Sequence, residues 1–255
     1  MAGKCVFCRR DLTGFVSEEH IFGRWLLKHL GIPQQDQMFQ GVADYATLDT
    51  DRVQNPRTHG TWRFVDGRVC QPCNNGWLDR LDQDTRPGLE MLIREAGRVV
   101  ALSPPQCSFL ARWAAKTAFL IANVSPFKQP VPPGHLLAMN NGGPVPEGVF
   151  VFAGQSGTTT NTAYFQSSQW PHFSGNRLDA IGTFAGAYKI GFQVRDLLLL
   201  VAFVPKSGIE FVTAAGVHIP LNPRLPVFPS YVAPMPDDPQ PPLWTFTRLL
   251  AALLR

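Results

Sequence analysis

Apolar residues along the chain fall into two kinds of pattern, one with helical spacing and one alternating. Ile21, Phe22, Trp25, Leu26 and Leu30 lie on one side of a 3.6-residue repeat behind Ser17. Residues 18–30 are therefore predicted to form an amphipathic helix, stopped by Gly31-Ile32-Pro33. A second amphipathic segment begins at Asn74 with Trp77, Leu78 and Leu81 and is predicted to be helical again over 88–99. A third runs from 108 to 124, where Phe109, Trp113, Ala114, Thr117, Phe119 and Leu120 make one broad apolar surface. Strands are predicted at 61–69 (a strand or hairpin), 148–153, 162–167, 181–187, 197–204 and 210–213, separated by Gly, Ser, Asn and Pro turns.

Between these lie stretches of different character. Residues 33–59 are polar and aperiodic, and are expected to be a long insertion or a substrate-facing loop. Ser103-Pro104-Pro105 punctuates the chain and marks an expected boundary between residues 1–100 and 101–255. Residues 220–242 are Pro-rich and expected to be extended, and the apolar tail 243–254 is expected to be a helix. That tail either docks on its own domain or meets a protein partner or a second copy of the chain.

The fold class that follows is α+β, with a mostly antiparallel sheet and a covering helix in the second part. At 255 residues and 45% hydrophobic content the chain can build a sizeable core, which excludes global disorder. The longest apolar run, 197–204, is too short to span a bilayer, so no membrane association is expected. The first eight residues contain no apolar stretch of the secretory kind, so the reducing cytoplasm is the expected compartment. Residues 1–100 carry 13 basic and 13 acidic side chains, leaving 10 and 6 for the remainder. The net +4 therefore sits in the second part and permits an anionic partner such as nucleic acid without demanding one.

Cysteine spacing gives the first chemical signal. Cys5-Val6-Phe7-Cys8 and Cys70-Gln71-Pro72-Cys73 form two Cys-x-x-Cys pairs. Four soft ligands in two tight pairs match a structural Zn²⁺ site; a redox dithiol and chance pairs are the alternatives. Cys107 stands apart and reads as a small buried residue.

Glu19-His20 follows the first pair, and Asn74 directly follows the last cysteine in Cys73-Asn74-Asn75-Gly76-Trp77. This arrangement, over residues 4–82, resembles the HNH (ββα-metal) nucleases of the four-cysteine type. The resemblance implies a zinc-stabilised ββα-metal, treble-clef-like N-terminal domain and a DNA-cleaving activity. It implies His20 as general base, and Glu19 and Asn74 as ligands of one catalytic divalent cation, Mg²⁺ or Mn²⁺. Asn55 is the candidate for the asparagine that steadies the base, with His59 as substitute. Arg9, Arg10, Arg24 and Arg80 are candidate phosphate clamps. Family members occur in mobile elements and antiviral defence, which sets an expectation of context only.

Three departures from the family pattern stand out. Glu19 replaces the more usual Asp, Glu18 competes for its role, and the polar stretch 33–59 replaces a Gly-containing segment. A non-catalytic zinc-stabilised adaptor for nucleic acid or protein is therefore the alternative. A thiol redox protein is a third reading, without the βαβ context such proteins have.

Overall fold

The computed structural model describes residues 3–14, 16–43, 53–95, 100–125, 131–155, 162–167, 169–174, 177–205, 209–212, 219–222, 231–232 and 251–254. The fold is α+β. In the first part, β1 (Val16–His20) pairs antiparallel with β4 (Val65–Cys70), placing Glu19 opposite Asp66 and His20 opposite Val65. The chain leaves β4 through the one-turn α2 (Gln71–Cys73) and a π-type turn, Asn74–Leu78, into α3 (Asp79–Arg94). Gly76 inside that turn has φ −106° and ψ −105°, a kink that separates Asn74 from the regular helix.

The expected helix over 18–30 is corrected here. Residues 16–20 are strand, and only α1 (Arg24–His29) is helical. The Ile21 N–H donates to the Phe64 carbonyl at 3.0 Å, continuing the β1–β4 pairing, and Gly23 breaks the chain before the helix begins. Pairing with a strand some fifty residues away has overridden the local 3.6-residue spacing, which Ile21 and Phe22 satisfy equally well by entering the core.

Residues 33–59, expected to be a long insertion or a substrate-facing loop without strand signal, contain β2 (Gln37–Ala43) and β3 (Val53–Gly60). These form one side of a seven-stranded sheet whose order is β13-β6-β11-β10-β7-β2-β3. Its other members are β6 (Val149–Gln155), β7 (Thr162–Ser167), β10 (Tyr188–Val194), β11 (Leu197–Phe203) and β13 (Ile219–Asn222). The β2–β7 contact is parallel and the other pairs are antiparallel. β3 is the outermost strand, the position in a sheet where its Pro56 costs no ladder hydrogen bond. The sheet thus joins a segment from before residue 103 to the part after it.

The strand expected at 181–187 is displaced. β9 (Arg177–Thr183) and β10 lie to either side of a turn in which Gly186 has φ +76°. β10 sits between β11 and β7 and is buried along its length, so Lys189 and Gln193 are buried with its apolar residues and weaken the alternation. β9 pairs with β8 (Gln169–Ser174) in a smaller sheet that also holds β12 (Ile209–Val212) and β15 (Ala251–Leu254). The expected terminal helix is therefore corrected at its end: 251–254 pair as a strand with β12, and 243–250 lie outside the described residues. Of the Pro-rich 220–242, only 220–222 and the two-residue β14 (Tyr231–Val232) are described, and both are strand.

One helix organises the core. α4 (Pro104–Val124) opens on a capping box between Ser103 and Gln106 and packs on β6, β10, β11 and β13 with one side and on α3 and β4 with another. It is buried almost all round from Leu110 to Ala122, Lys116 included. The short α5 (Pro133–Ala138) follows, with the His135 ring edge-on to Phe203. Cys107 is buried as expected. Among the described residues no helix is long and apolar enough to cross a membrane.

Candidate active site and metal centre

The four cysteines come together at the base of the β1–β4 pair. Cys5 and Cys8 lie in a tight turn before β1, where the Cys5 N–H donates to the Arg10 carbonyl and Arg9 adopts φ +62°. Cys70 ends β4 and Cys73 lies in α2. Their four Sγ atoms are all within 4.8 Å of one another, with Cys5–Cys73 at 4.0 Å and Cys8–Cys70 at 3.6 Å. A tetrahedron with metal–sulfur bonds of about 2.3 Å has edges of about 3.8 Å, so the cluster fits a structural Zn²⁺.

The thiols interact strongly with one another. The Cys70 N–H points at Cys5 Sγ at 3.4 Å, and the buried Trp77 Nε1 has no hydrogen-bond partner among the described residues. Within the cluster the Cys73 thiol holds Cys5 down to about 4, while Cys5 and burial push Cys73 up. Four sulfurs this close together suit a cation that replaces their protons.

Immediately above lies a cleft of about 450 Å³. β1 contributes Glu18, Glu19 and His20, α1 contributes Arg24 and Trp25, and the helical segment after Cys73 contributes Asn74, Asn75, Asp79 and Asp82. The expected base and both expected cation ligands are thus in one cleft beside the cysteine cluster.

His20 accepts a hydrogen bond at Nε2 from Arg24 Nε at 2.9 Å. Burial, and then the Arg24 charge, lower its pKa below the ordinary 6.5, so its ring is neutral at pH 7 with the lone pair on Nε2. Asn74 donates through Nδ2 to Ser17 Oγ at 3.1 Å and toward the Glu18 carbonyl at 3.5 Å. Those bonds fix the amide with Oδ1 as its remaining acceptor, the atom a hard cation takes.

Glu19 is buried, and its Oε1 accepts from Lys116 Nζ at 3.2 Å. The same ammonium donates to Asp82 Oδ1 at 3.3 Å. Asp82 also accepts from Trp113 Nε1 through Oδ1 and from Trp25 Nε1 through Oδ2, both at 3.1 Å. Burial pulls the Lys116 pKa down, but Asp82 and Glu19 together outweigh it and the value is raised, so the ammonium stays charged. Burial pushes the Glu19 carboxyl up against the pull of Lys116.

Lys116, Asp82, Trp25 and Trp113 were not among the residues expected at the site. One signal pointed to the lysine: between Trp113 and Val124 it is the only charged residue in a mostly apolar stretch. Asn55 lies on β3, and its side chain is outside the described residues. His59 is exposed, with its ring stacked on Phe64 at 6.0 Å between centroids. Of the candidate phosphate clamps, Arg24 lines the cleft, whereas Arg9, Arg10 and Arg80 are exposed and do not line it.

No protein-family model matches the chain, and neither does a curated protein or a solved structure. The functional reading therefore rests on the geometry of the cleft and the cysteine cluster.

Proposed function

We propose that this chain is a metal-dependent endonuclease of the HNH (ββα-metal) type that hydrolyses DNA phosphodiester bonds. The observation that carries the reading is the meeting of Glu19, His20 and Asn74 in one cleft directly beside the four-cysteine cluster. The cysteine cluster would hold Zn²⁺ as a structural ion, tying the turn at residues 5–10 to the end of β4 and α2. Glu19 and Asn74 Oδ1 would hold one Mg²⁺ or Mn²⁺. When bound, that cation supplies electrostatic stabilisation of the charge that develops on the phosphate and the leaving oxygen.

The chain's own residues do the rest. A phosphate entering the cleft draws the Arg24 guanidinium away from His20, exposing the Nε2 lone pair. His20 then takes a proton from the attacking water, the new P–O bond forms, and the bond to the 3′ oxygen breaks. The 3′ oxygen collects its proton from solvent. Neutral at pH 7, His20 is in the right form to begin.

A second reading, the non-catalytic zinc-stabilised adaptor for nucleic acid or protein, is favoured by one observation. Glu19 Oε1 and the Asn74 amide nitrogen already have partners within the chain. Incubation of the zinc-loaded protein with supercoiled plasmid and with single-stranded DNA, with and without added Mg²⁺ or Mn²⁺, decides between the two. Metal-dependent nicking supports the nuclease. DNA retention with no cleavage in any of these conditions supports the adaptor.

A further inference from the structure

Lys116 comes from α4, in the part of the chain after the expected boundary, and lies buried behind Glu19 and Asp82, which line the cleft. Its side chain is fully buried, which is costly for an ammonium and demands close partners. Asp82, anchored by two indole N–H groups, already supplies one carboxylate at 3.3 Å. Pairing the ammonium needs no second buried carboxylate, and burying one adds a desolvation cost that folding alone does not recover. Yet Glu19 is there, only 7% exposed, with Oε1 on the ammonium. Glu19 is thus a second carboxylate beyond the one the ion pair needs. The Asp82 oxygens both have donors, whereas Glu19 Oε2 accepts none of the described hydrogen bonds.

We infer that Lys116 is a positioning residue for Glu19: anchored by Asp82, it occupies Oε1 and presents Oε2 as a single fixed oxygen for the divalent cation. The inference rests on the nuclease reading above and deepens it, because it makes residues 101–255 part of the site rather than an appendage. Lys116 also tempers cation affinity, since a positive charge touches the ligand that the cation needs.

The test uses full-length, zinc-loaded protein, with folding checked by zinc stoichiometry and circular dichroism. Mn²⁺ binding is read by electron paramagnetic resonance of the unbound ion, and kcat is read separately at saturating Mn²⁺. Lys116→Met is expected to bind Mn²⁺ about tenfold more tightly, because a like charge in contact with the ligand is gone, and yet to lose at least about tenfold in kcat. General damage to the fold would weaken binding and turnover together.

Lys116→Met/Asp82→Asn removes the ion pair as a unit and keeps the variant foldable if the single change is not tolerated. It is expected to bind Mn²⁺ within about threefold of the parent while keeping the kcat loss. Wild-type kcat in either folded variant overturns the inference, as does unchanged or weaker Mn²⁺ binding in folded Lys116→Met. If the parent neither binds Mn²⁺ nor cleaves, the nuclease reading falls and takes this inference with it. If the parent does both and the variants match it, only the positioning role falls.

Discussion

Asp82→Ala removes the acceptor on which α1, α3 and α4 converge. Two indole donors lose their acceptor, Trp25 Nε1 on α1 and Trp113 Nε1 on α4, and Lys116 Nζ on α4 loses one of its two carboxylates. The aspartate side chain is 15% exposed and the lysine 0%, so solvent screens the pair little. Breaking one partner of a buried ion pair costs about 3–5 kcal/mol, and each orphaned buried N–H costs about 1–3 kcal/mol. These costs overlap, because Lys116 keeps Glu19 and the space left by the carboxylate is large enough to admit water. A net loss of about 3–5 kcal/mol is the expectation. For a chain of this size that corresponds to a fall in Tm of roughly 10 °C, since about 2–4 °C accompanies each kcal/mol.

The assay is thermal unfolding of zinc-saturated protein, followed by circular dichroism and by tryptophan fluorescence, to which Trp25 and Trp113 contribute two of six tryptophans. Asp82→Asn, which keeps one acceptor and turns an NH₂ toward the other side, is expected to lose less. A Tm for Asp82→Ala within about 2 °C of the parent would refute the reasoning. It would mean that the three donors are satisfied elsewhere and that this aspartate does not couple the two parts of the chain.

Other expectations follow from the same geometry. Cys73→Ser should lose the stoichiometric zinc and unfold the segment joining β1 to α2, measured by metal analysis and by protease sensitivity within residues 3–80. Because the His20 pKa is lowered, its neutral form survives acidification past 6.5, so the acid limb of the kcat/KM profile should fall below that pH. Arg24→Ala removes one of the two causes of the lowering and should move that limb upward; a limb that stays put would separate Arg24 from the base. Asn74→Ala should raise the Mn²⁺ concentration needed for half-maximal cleavage by about tenfold or more, whereas Asn74→Asp keeps an oxygen ligand and should restore it; equal behaviour of the two would remove Asn74 from the cation site.

What the sequence disclosed and what it concealed divide along the reach of the interactions. The Cys-x-x-Cys pairs were legible because each knuckle is local, and the two pairs do meet within 4.8 Å. The helix around Trp113 was legible because its apolar residues repeat over many turns, although it begins four residues before the expected start, at Pro104. Residues 16–20 misled because Ser17, Ile21, Phe22 and Trp25 satisfy a helical repeat on paper, while β4 offers a backbone partner that no local pattern reveals. The polar 33–59 misled for the same reason: β2 takes its place from the parallel contact with β7, more than a hundred residues away. At the site, Glu19, His20 and Asn74 could be nominated from their neighbours in sequence. Lys116 could not be assigned to them, because its partners are 97 and 34 residues distant and only the packing of α4 on the β1–β4 unit brings them together.

The central claim is that His20 is the general base of a phosphodiester-cleaving site. Single-turnover cleavage of supercoiled plasmid with Mn²⁺, comparing the parent with His20→Ala at matched zinc content and matched circular dichroism, tests it most directly. The account predicts nicking by the parent and a loss of about 10²–10⁴-fold in the variant. Cleavage by the folded variant at the parent's rate, or no cleavage by either zinc-loaded protein, would contradict it.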